Sequence, residues 1–548
     1  MRPVEALLRV LREEGVTKVF GNPGTTELPL LDALVGRPDI DYVLGVHEGS
    51  VLAMADGYAR ATGRPSFVNL HVAAGLANGL SGLLNASRSR TPMVVTAGQQ
   101  DRRHMVQDPM LSGDLIGLAR PAVKAAFDVQ HAHDLPVLLR RAFRLATLPP
   151  AGPVFLSLPM DLVAEDVEVE LLGSSTEAPP CAAEVGGAAT LLAAADRPAI
   201  VAGDGVGREG GVAALVAVAE SLGAAVYHQP MHDGLNFPMN HPLYAGGLQP
   251  VNAEIRATLA AYDVVFIVGC HAFMPHHYSP GPAIPQGVRV VQLDSDPAEI
   301  GRNFAVELGL VGPIGPTLHA LAQALHGRQP QATRRAAELG ERHLSQRSAV
   351  DTLALKAYGA APLDPLAAAH AVATGLPPDA VVVEEAITLG VQLRRVLRLD
   401  RPKSLVHTIG GGLGSGIGAA IGTRMGDPTR PVVAVLGDGC TLFGLQGLWS
   451  AARYDVPVTF VVMNNGEYRT LKDTLDAWQS NATRAGSYPG LDIGPLDFTK
   501  AAEFFGVDAR RIEHADELVG IVAEAPYRRR PLLVDVPIAG HHQGGVQR

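Results

Sequence analysis

Short apolar runs alternate with longer helical segments along most of the chain. Runs rich in Val and Ile, such as RPAIVAG, DVVFIVG, RVVQLD, PVVAVLG and VTFVVMNN, are separated by Ala-, Leu- and Gly-rich stretches long enough for helices. Continuous apolar runs of this length are typical of strands buried on both faces, and their alternation with helices is the pattern of parallel βαβ units. The sequence therefore predicts an α/β protein built from doubly wound parallel sheets.

Two polar stretches interrupt this pattern and divide the chain into thirds. The first, at 164–187, turns acidic and then rich in small residues and Pro, which suits an exposed connector. The second, at 326–350, crowds charges into a helix or linker with little apolar surface. A chain of 548 residues is too long for one core. We therefore predict three α/β domains, at 1–170, 185–335 and 345–548.

Composition narrows the class of protein. Hydrophobic residues make up 47%, charged residues 18%, and the net charge is -10, which fits a soluble globular protein and argues against a nucleic-acid partner. The widely spaced Cys181, Cys270 and Cys440 fit neither a disulfide framework nor a zinc site, so we expect a reducing cytoplasm. The N-terminus mixes charges into a helical pattern, and no apolar run reaches membrane-spanning length, so we expect no membrane partner.

Two strand-to-helix turns contain the sequence GDG. In the first, GDGVGREGG, the residues Gly205, Gly207 and Gly210 match the G-x-G-x-x-G pattern of a dinucleotide-binding turn. The acidic residue expected on a ribose about twenty positions later is missing, because GAAVYHQP contains neither Asp nor Glu. We therefore interpret this turn, with its Asp204, as a structural turn of an α/β domain.

The second turn, VLGDGCTLFG, has a chemical partner further along the chain. Asp438 follows an apolar strand and lies 27 residues before Asn465, which follows the next apolar strand in VTFVVMNNGEY. Two parallel strands joined by a helix would bring both side chains to one edge of the sheet. A carboxylate, an amide oxygen and a backbone carbonyl suit Mg²⁺, whose other ligands commonly come from phosphate. The spacing predicts a metal-bound diphosphate; the alternative is an Asp that only shapes a turn.

The stretch GDGCTLFGLQGLWSAARYDVPVTFVVMNNGEY resembles the diphosphate-binding motif of thiamine diphosphate-dependent enzymes, which opens with GDG and closes with NN. The resemblance implies thiamine diphosphate as cofactor. It also implies a Mg²⁺ ion, replaceable by Ca²⁺, on Asp438, Asn465 and the main-chain carbonyl of Glu467. Of two adjacent hydroxyls expected on the phosphates, VVEEAITLG retains only one. The further cofactor contacts implied in this half are Thr388, Gly439, Cys440 and Tyr468.

Members of this family also need a glutamate that activates the thiamine ring. The region DYVLGVHEGSVLAMADGYARATGRP resembles the family's first domain and puts Glu48 in that role, with a simple helix-capping acid as the alternative. In IGGGLGSGIG the resemblance implies that Leu413 bends the cofactor and that the Gly411 carbonyl meets its 4′-amino group. On composition alone, Leu413 would be an ordinary core residue. The implied domains are pyrimidine-binding, middle and diphosphate-binding, in that order.

Within the family, VFGNPGTTELPLLDAL, FVNLHVAAGLANGLSGLLNA and TPMVVTAGQQ look most like benzoylformate decarboxylases. That likeness implies that Thr25 binds the substrate carboxylate and that His71 and His276 transfer protons, a task that suits imidazole near neutral pH. A lone histidine is more often structural, so the likeness carries this assignment. His277 is expected to point away from its neighbour.

Some positions depart from that subfamily. The first is Thr25, where Ser is usual, and the pocket wall after NNG is more polar than usual, with Thr470, Leu471 and Thr474 as substrate-pocket candidates. These departures leave the aromatic substrate open and the cofactor assignment intact.

The expected activity is decarboxylation of a 2-oxo acid, benzoylformate or a similar aryl or bulky acid, to an aldehyde and CO₂, with carboligation as a side activity. One alternative is a carboligase of the acetohydroxyacid synthase type, which would normally bind FAD, or another lyase with this cofactor. The other is a non-catalytic relative, against which the intact Glu48, Asp438 and Asn465 argue. The family assembles its active site between subunits, so we expect a homodimer or homotetramer.

Overall fold

The computed structural model describes residues 1–170 and 181–541. These residues contain three six-stranded sheets. With strands counted in chain order within each sheet, the first and third sheets have the order 2-1-3-4-6-5 and the second has the order 6-5-4-1-2-3. Neighbouring strands pair in parallel, as Met93–Gln99 does with Pro153–Pro159 and Val432–Gly437 does with Val458–Asn464. The predicted α/β fold with three doubly wound parallel sheets is confirmed.

Packing groups the described residues into two compact units. Unit 1 comprises 1–170, 357–392 and 408–541, and unit 2 comprises 181–356 and 393–407. The predicted domain ends at 335 and 345 both fall inside one helix, Ala332–Lys356. Part of the connector predicted at 164–187 lies outside the described residues. The domain boundaries themselves stay a prediction.

The first sheet lies in unit 1. Its strands are β1 Lys18–Asn22, β2 Asp41–Leu44, β3 Ser66–Leu70, β4 Met93–Gln99, β5 Ala125–Asp128 and β6 Pro153–Pro159. The α-helices of this part of the chain are α1 Pro3–Glu13, α2 Leu28–Leu34, α3 Glu48–Thr62, α4 Val72–Arg88, α5 Leu115–Ala119, α6 Leu135–Thr147 and α7 Met160–Ala164. A short 3₁₀ helix, Thr25–Glu27, follows β1.

The second sheet lies in unit 2. Its strands are β7 Pro198–Ala202, β8 Ala225–His228, β9 Tyr244–Gly247, β10 Val264–Val268, β11 Arg289–Asp294 and β12 Leu308–Val311. The α-helices here are α8 Val185–Ala193, α9 Asp204–Arg208, α10 Val212–Leu222, α11 Asn252–Leu259, α12 Ile314–Leu325 and α13 Ala332–Lys356.

The last part of the chain forms the third sheet. Its strands are β13 Val381–Glu385, β14 Leu405–His407, β15 Val432–Gly437, β16 Val458–Asn464, β17 Asp508–Arg511 and β18 Leu532–Pro537. The α-helices are α14 Pro365–Gly375, α15 Ile387–Val396, α16 Ser415–Gly426, α17 Asp438–Gly444, α18 Gly447–Arg453, α19 Arg469–Ala477, α20 Asn481–Ala485, α21 Phe498–Phe504 and α22 Ala515–Ala523.

Burial explains why the apolar runs form strands. All seven residues of β4, β6 and β16 are buried, so neither face of these strands is exposed to solvent, and mostly apolar residues fill both faces. In the third sheet, Gly437 at the end of β15 is opposite Met463 near the end of β16. Because both strands are parallel, the residues that follow them emerge at the same edge of the sheet.

Within unit 1, α3 packs closely against α16 because small residues line the contact. A Cβ atom on Gly422 would collide with the carbonyl oxygen of Met54, and one on Gly57 would collide with that of Ala419. Gly418 lies beside Ala53 and Gly426 lies beside Ala61, so the two helices run in the same direction. The first residues of α3 and the loop that precedes α16 therefore lie at the same end of the helix pair.

Two predicted absences can be compared with the described residues. No helix among them is long and apolar enough to cross a membrane. The three cysteines are free: Cys270 and Cys440 are buried, and Cys181 is partly buried.

Candidate active site

The turn after β15 holds Asp438 in a nest of backbone N–H groups. Its Oδ1 accepts from Gly439 N at 2.7 Å, and its Oδ2 accepts from Asn465 N at 3.0 Å and from Gly466 N at 2.6 Å. Burial raises the pKa of Asp438, and the backbone donors partly oppose that effect. The spacing argument thus places Asp438 beside the end of β16, where Asn465 begins the next loop.

The oxygen atoms at this edge fit a hard cation. Asp438 supplies a carboxylate, and the side-chain oxygen of Asn465 accepts from Glu467 N at 3.1 Å, which closes a local turn in the loop after β16. Among the described residues there is no group of three His, Cys, Asp or Glu that could hold a metal by itself. A cation here would therefore combine one carboxylate with neutral oxygens and phosphate, as Mg²⁺ sites commonly do.

The Glu467 side chain is occupied, which leaves its main chain for a ligand role. Its carboxylate pairs with Lys472 of α19 and accepts from the backbone N–H of His541, and both side chains of the Glu467–Lys472 pair are under 10% exposed. Lys472 also pairs with Asp492. These contacts fix the loop after β16 to α19 and to the last described residue of the chain.

Other predicted cofactor residues surround the turn. A Cβ on Gly439 would meet the Tyr468 ring at 2.7 Å, so this ring can pack against the turn only because residue 439 is a glycine. Cys440 is buried, and burial raises the pKa of its thiol well above the usual range. Thr388 is partly exposed at the start of α15.

Two predicted residues with different assigned roles contact each other. The hydroxyl of Thr388, assigned to phosphate, lies 2.6 Å from the hydroxyl of Thr470, assigned to the substrate pocket. The Thr474 hydroxyl donates to the Thr470 carbonyl at 2.8 Å. Between these internally bonded threonines, the Leu471 side chain is 50% exposed.

Glu48 is the first residue of α3 and is 6% exposed. Its Oε1 accepts from the Asn22 side chain at 3.0 Å, and its Oε2 accepts from the Asn78 side chain at 3.1 Å. The capping acceptor of α3 is the His47 side chain, which accepts from Gly49 N at 3.1 Å. Glu48 is therefore not needed as a cap, and its carboxylate is held in place by two amides.

A buried carboxylate orients His71, which follows β3. Its Nδ1 lies 2.8 Å from Glu27 Oε2, and Glu27 is itself fixed by the backbone N–H groups of Gly24 and Gly98. The Thr26 hydroxyl donates to Glu27 Oε1 at 2.6 Å and lies 3.1 Å from the same ring nitrogen. The hydrogen bonds described for His71 all use Nδ1, so Nε2 is the nitrogen left to exchange a proton with a substrate.

Thr25 differs from its neighbour. It is exposed, while Thr26 is buried. The hydroxyl that contacts His71 is therefore that of Thr26, and the predicted role of Thr25 in binding a carboxylate stays a prediction.

His276 lies in unit 2, on an irregular loop, and is exposed. Its Nδ1 is 3.0 Å from Nε2 of His277, and the two ring centroids are 4.3 Å apart. The expectation that His277 points away from His276 is therefore wrong, because strict alternation of side chains applies to extended strands and this backbone is not one. The catalytic role of His276 stays a prediction.

Asp204 in the first GDG turn is buried and bonded to its own unit. It accepts from the side chains of Gln229 and Asn236 and from Asp233 N, at 2.6–2.9 Å. A Cβ on Gly205 would meet the backbone of Gly269 at 2.8 Å, so protein atoms already pack against this turn. The geometry agrees with a structural turn.

The sequence patterns did not identify the residues that hydrogen-bond to the predicted site residues and fix their positions. The sequence shows Glu27 as an acidic residue directly after GNPGTT. Its burial depends on a 3₁₀ turn, which no periodic pattern in the sequence predicts. Asn22 and Asn78 lie at a strand end and inside a helix, and only tertiary packing brings them to Glu48.

Three family profiles match the chain in order. Residues 1–115 match the N-terminal TPP binding domain of thiamine pyrophosphate enzymes, residues 185–321 match their central domain, and residues 388–536 match their C-terminal TPP binding domain.

Full-length relatives agree with this match. A benzoylformate decarboxylase from Pseudomonas aeruginosa is 35% identical over 97% of this chain and 98% of its own. A probable acetolactate synthase large subunit from Methanocaldococcus jannaschii is 28% identical over 98% and 92%. The solved structure of a thiamine diphosphate-dependent 4-hydroxybenzoylformate decarboxylase from Rhodococcus jostii has a TM-score of 0.88 at 32% identity, covering 98% of this chain and 99% of that one. Together with the Asp438 turn and the amide-held Glu48, these matches show that the chain belongs to the thiamine pyrophosphate enzyme family.

Proposed function

We propose that this enzyme decarboxylates an aryl or similarly bulky 2-oxo acid to the aldehyde and CO₂, with thiamine diphosphate and Mg²⁺. The observation that carries the proposal is the pairing of His71 with buried Glu27 in the same unit as Glu48 and Asp438. A decarboxylase must return a proton to carbon after CO₂ leaves, and an imidazole held by a carboxylate is suited to that task. The names of the two decarboxylase relatives support the same reaction.

Asp438, Asn465 and the Glu467 carbonyl would hold the metal and, through it, the diphosphate. When bound, thiamine diphosphate supplies the carbon nucleophile for the 2-oxo group and a sink for the electron pair that CO₂ leaves behind. Glu48, the first residue of α3, would exchange a proton with the pyrimidine ring, because two neutral amides hold its carboxylate in one position. Anchoring and proton exchange are thus assigned to different carboxylates.

The His71 ring has one nitrogen for the protein and one for the reaction. Glu27 accepts the Nδ1 proton, which fixes the tautomer with a lone pair on Nε2. Nε2 can then accept a proton from water or donate one to the substrate without reorienting the ring. The same logic explains why Glu27 must be buried: a mobile carboxylate would not hold the ring in one orientation.

The surface of α19 supports a bulky apolar substrate group. The hydroxyls of Thr470 and Thr474 are each bonded inside the protein, whereas Leu471 is half exposed. This surface of α19 is therefore less polar than its two threonines indicate, because hydroxyls that already have partners inside the protein gain little from facing a ligand. These contacts support an aromatic or branched side chain as the preferred substrate class.

Turnover of a panel of 2-oxo acids tests the proposal directly. CO₂ and aldehyde would be measured with benzoylformate, 4-hydroxybenzoylformate, a branched aliphatic 2-oxo acid and pyruvate, each with and without thiamine diphosphate and Mg²⁺. We expect kcat/KM for the aromatic acids to exceed that for pyruvate by at least about tenfold, which corresponds to one well-buried apolar group. Glu48→Gln is the inactive control.

The acetolactate synthase relative defines the opposite outcome. Acetolactate formed from pyruvate, with no CO₂ released from aromatic acids, would replace the decarboxylase by a carboligase. A flavin absorption spectrum of the purified protein would point the same way.

We further propose a homodimer or homotetramer with shared active sites. Light scattering across a dilution series, with turnover measured on the same samples, tests this. Full activity in a monomeric sample would contradict it.

A further inference from the structure

The loop before α16 has an unusual backbone around Gly411. Gly411 and Gly414 have φ angles of +82° and +92°, in the left-handed region that favours glycine. A Cβ on Gly412 would collide with Ser81 of α4, whereas one on Gly411 would meet nothing within 4 Å. One side of the loop is therefore packed against protein, and Gly411 faces open space.

Asn85 of α4 bonds both backbone groups of Gly412. Its Nδ2 donates to the Gly412 carbonyl at 2.8 Å, and its Oδ1 accepts from Gly412 N at 3.0 Å. Nδ2 also donates to the Ser415 hydroxyl at 2.7 Å, and the Asn85 side chain is buried. One amide thus joins two segments that lie more than 300 positions apart in the chain.

The planarity of the peptide bond turns this contact into an orientation for Gly411. The Gly411–Gly412 bond is trans, so the Gly411 carbonyl points away from the side on which Gly412 N–H donates. Because that N–H is directed at Asn85, the Gly411 oxygen is directed away from α4, towards the open side of the loop. A residue in the first part of the chain therefore sets the direction of a carbonyl in the last part.

Glu385 holds the other end of the same loop. This residue ends β13, is buried, and accepts from the backbone N–H groups of Gly414, Ser415 and Gly416 at 2.8–3.1 Å. Burial raises the pKa of Glu385 to about 7, and the three N–H donors act in the opposite direction. With both ends held, the loop can rotate the Gly411 peptide only by breaking buried hydrogen bonds.

We propose that Asn85 is a positioning residue that aims the Gly411 carbonyl at the 4′-amino group of the cofactor's pyrimidine ring, with Glu385 as the anchor of the same loop. The inference rests on the proposed cofactor site. It adds a residue from α4, at a position that no cofactor motif covers, and it assigns that residue to the pyrimidine end of the cofactor and not to the diphosphate.

Two ligands that differ only at the 4′ position test this role. Calorimetry with Mg²⁺ would give the dissociation constants of thiamine diphosphate and of its 4′-deamino analogue for the wild type and for Asn85→Ala. We expect the wild type to prefer thiamine diphosphate, and Asn85→Ala to lower that preference about fivefold to tenfold, the usual weight of one aligned hydrogen bond. Glu385→Gln should lower it in the same direction.

Matched variants separate aiming from general damage. Asn236→Ala removes an equally buried amide, bonded to Asp204 in unit 2, and should leave the ligand preference unchanged. Asn85→Asp keeps an acceptor for Gly412 N–H and should retain most of the preference. If Asn85→Ala does not fold, Glu385→Gln decides the question, because it weakens the other anchor of the same loop, and an unchanged preference in that variant would overturn the positioning role.

The possible results of this experiment distinguish a failure of the positioning role from a failure of the proposed function. Equal weakening of both ligands, or no change, in Asn85→Ala would overturn the positioning role while leaving the cofactor site intact. A wild type that binds both ligands equally well would also overturn it, because the 4′-amino group would then have no partner. A wild type that binds neither ligand would instead sink the proposed function, and the inference with it.

Discussion

Asp204 and Asp438 occupy the same kind of turn, a buried strand end followed at once by a short helix, and each side chain is 5% exposed. Each accepts three hydrogen bonds, and burial raises the pKa of both. The donors differ: Asp438 is held by backbone N–H groups alone, whereas Asp204 binds two side-chain amides and one backbone N–H.

The difference shows what each turn is built to hold. At Asp204, the loop 229–236 supplies the partners, and backbone atoms of Gly269 fill the space beside Gly205, so the carboxylate joins parts of one unit. At Asp438, the donors come from the adjacent turn and from the loop after β16, which also carries the amide oxygen of Asn465. The same three letters therefore serve a structural junction in one sheet and a candidate ligand site in another.

The largest expected effect is loss of the cofactor in Asp438→Ala. Removing the only carboxylate of the proposed metal site should weaken Mg²⁺-dependent binding of thiamine diphosphate by more than about 100-fold, since even supporting residues of metal sites cost about 10–100-fold. Calorimetry measures the affinity, and circular dichroism checks that the variant folds. Unchanged affinity would place Asp438 with Asp204 as a structural acid.

A second variant tests whether partner type alone separates structural from chemical carboxylates. Glu48, like Asp204, is held by two side-chain amides, yet its proposed role is proton exchange. Glu48→Gln should lower turnover about 10³-fold, within the range of a lost acid–base group, while the cofactor dissociation constant changes little. Exchange of the cofactor's C2 proton is the decisive measurement: a wild-type exchange rate in this variant would remove Glu48 from the mechanism.

A third comparison concerns the buried acid that serves a histidine. His71→Ala should lower turnover by roughly 10²-fold, the lower end of the range for a lost acid–base group. The His71 side chain is 23% exposed, so water can partly replace the imidazole. Glu27→Gln should cost less, since the ring remains but its tautomer is no longer fixed. Cofactor affinity should stay unchanged in both. A loss of cofactor in Glu27→Gln would show that Glu27 supports the fold of the site and not the proton transfer.

The apolar runs and motif spacings of the sequence were sufficient to predict the fold and one edge of the candidate site. The apolar runs predicted buried parallel strands, and the spacing of Asp438 and Asn465 placed both at the ends of adjacent strands because parallel register follows from the βαβ connection. The absence of an acidic residue about twenty positions after GDGVG distinguishes the Asp204 turn from a nucleotide-binding turn by sequence alone.

Contacts between segments that are distant in the chain could not be predicted from these sequence patterns. Glu27 under His71, the amides on Glu48, and Asn85 on Gly412 each depend on how separate elements pack, and none leaves a period in the sequence. The pairing of His276 with His277 was missed for a related reason: an irregular loop follows no alternation rule. What sequence alone could not supply was thus the set of residues that hold others in place.

The smallest expected effect is on stability, in Asp204→Asn. Burial and nearby Asp233 raise the pKa of Asp204, so the folded protein keeps a proton that the unfolded chain releases. The stabilisation from this proton is present below the unfolded pKa of about 3.9 and is lost as the pH rises through the folded pKa. The variant has no such proton. In the wild type Gln229 Nε2 donates to Asp204 Oδ2, and when the Gln229 amide turns over, its Oε1, which has no hydrogen-bond partner in the described part of the chain, can accept from the new amide. From pH 5 to pH 8 the wild type should therefore lose about 2–4 °C of Tm relative to Asp204→Asn, the shift that roughly 1 kcal/mol gives in domains of this size. Scanning calorimetry at both pH values measures the difference, with thiamine diphosphate affinity, expected to be unchanged, as the control. A difference in Tm that is the same at both pH values would mean that Asp204 does not titrate in the fold, and a weakened cofactor would mean that the first GDG turn is not the purely structural one.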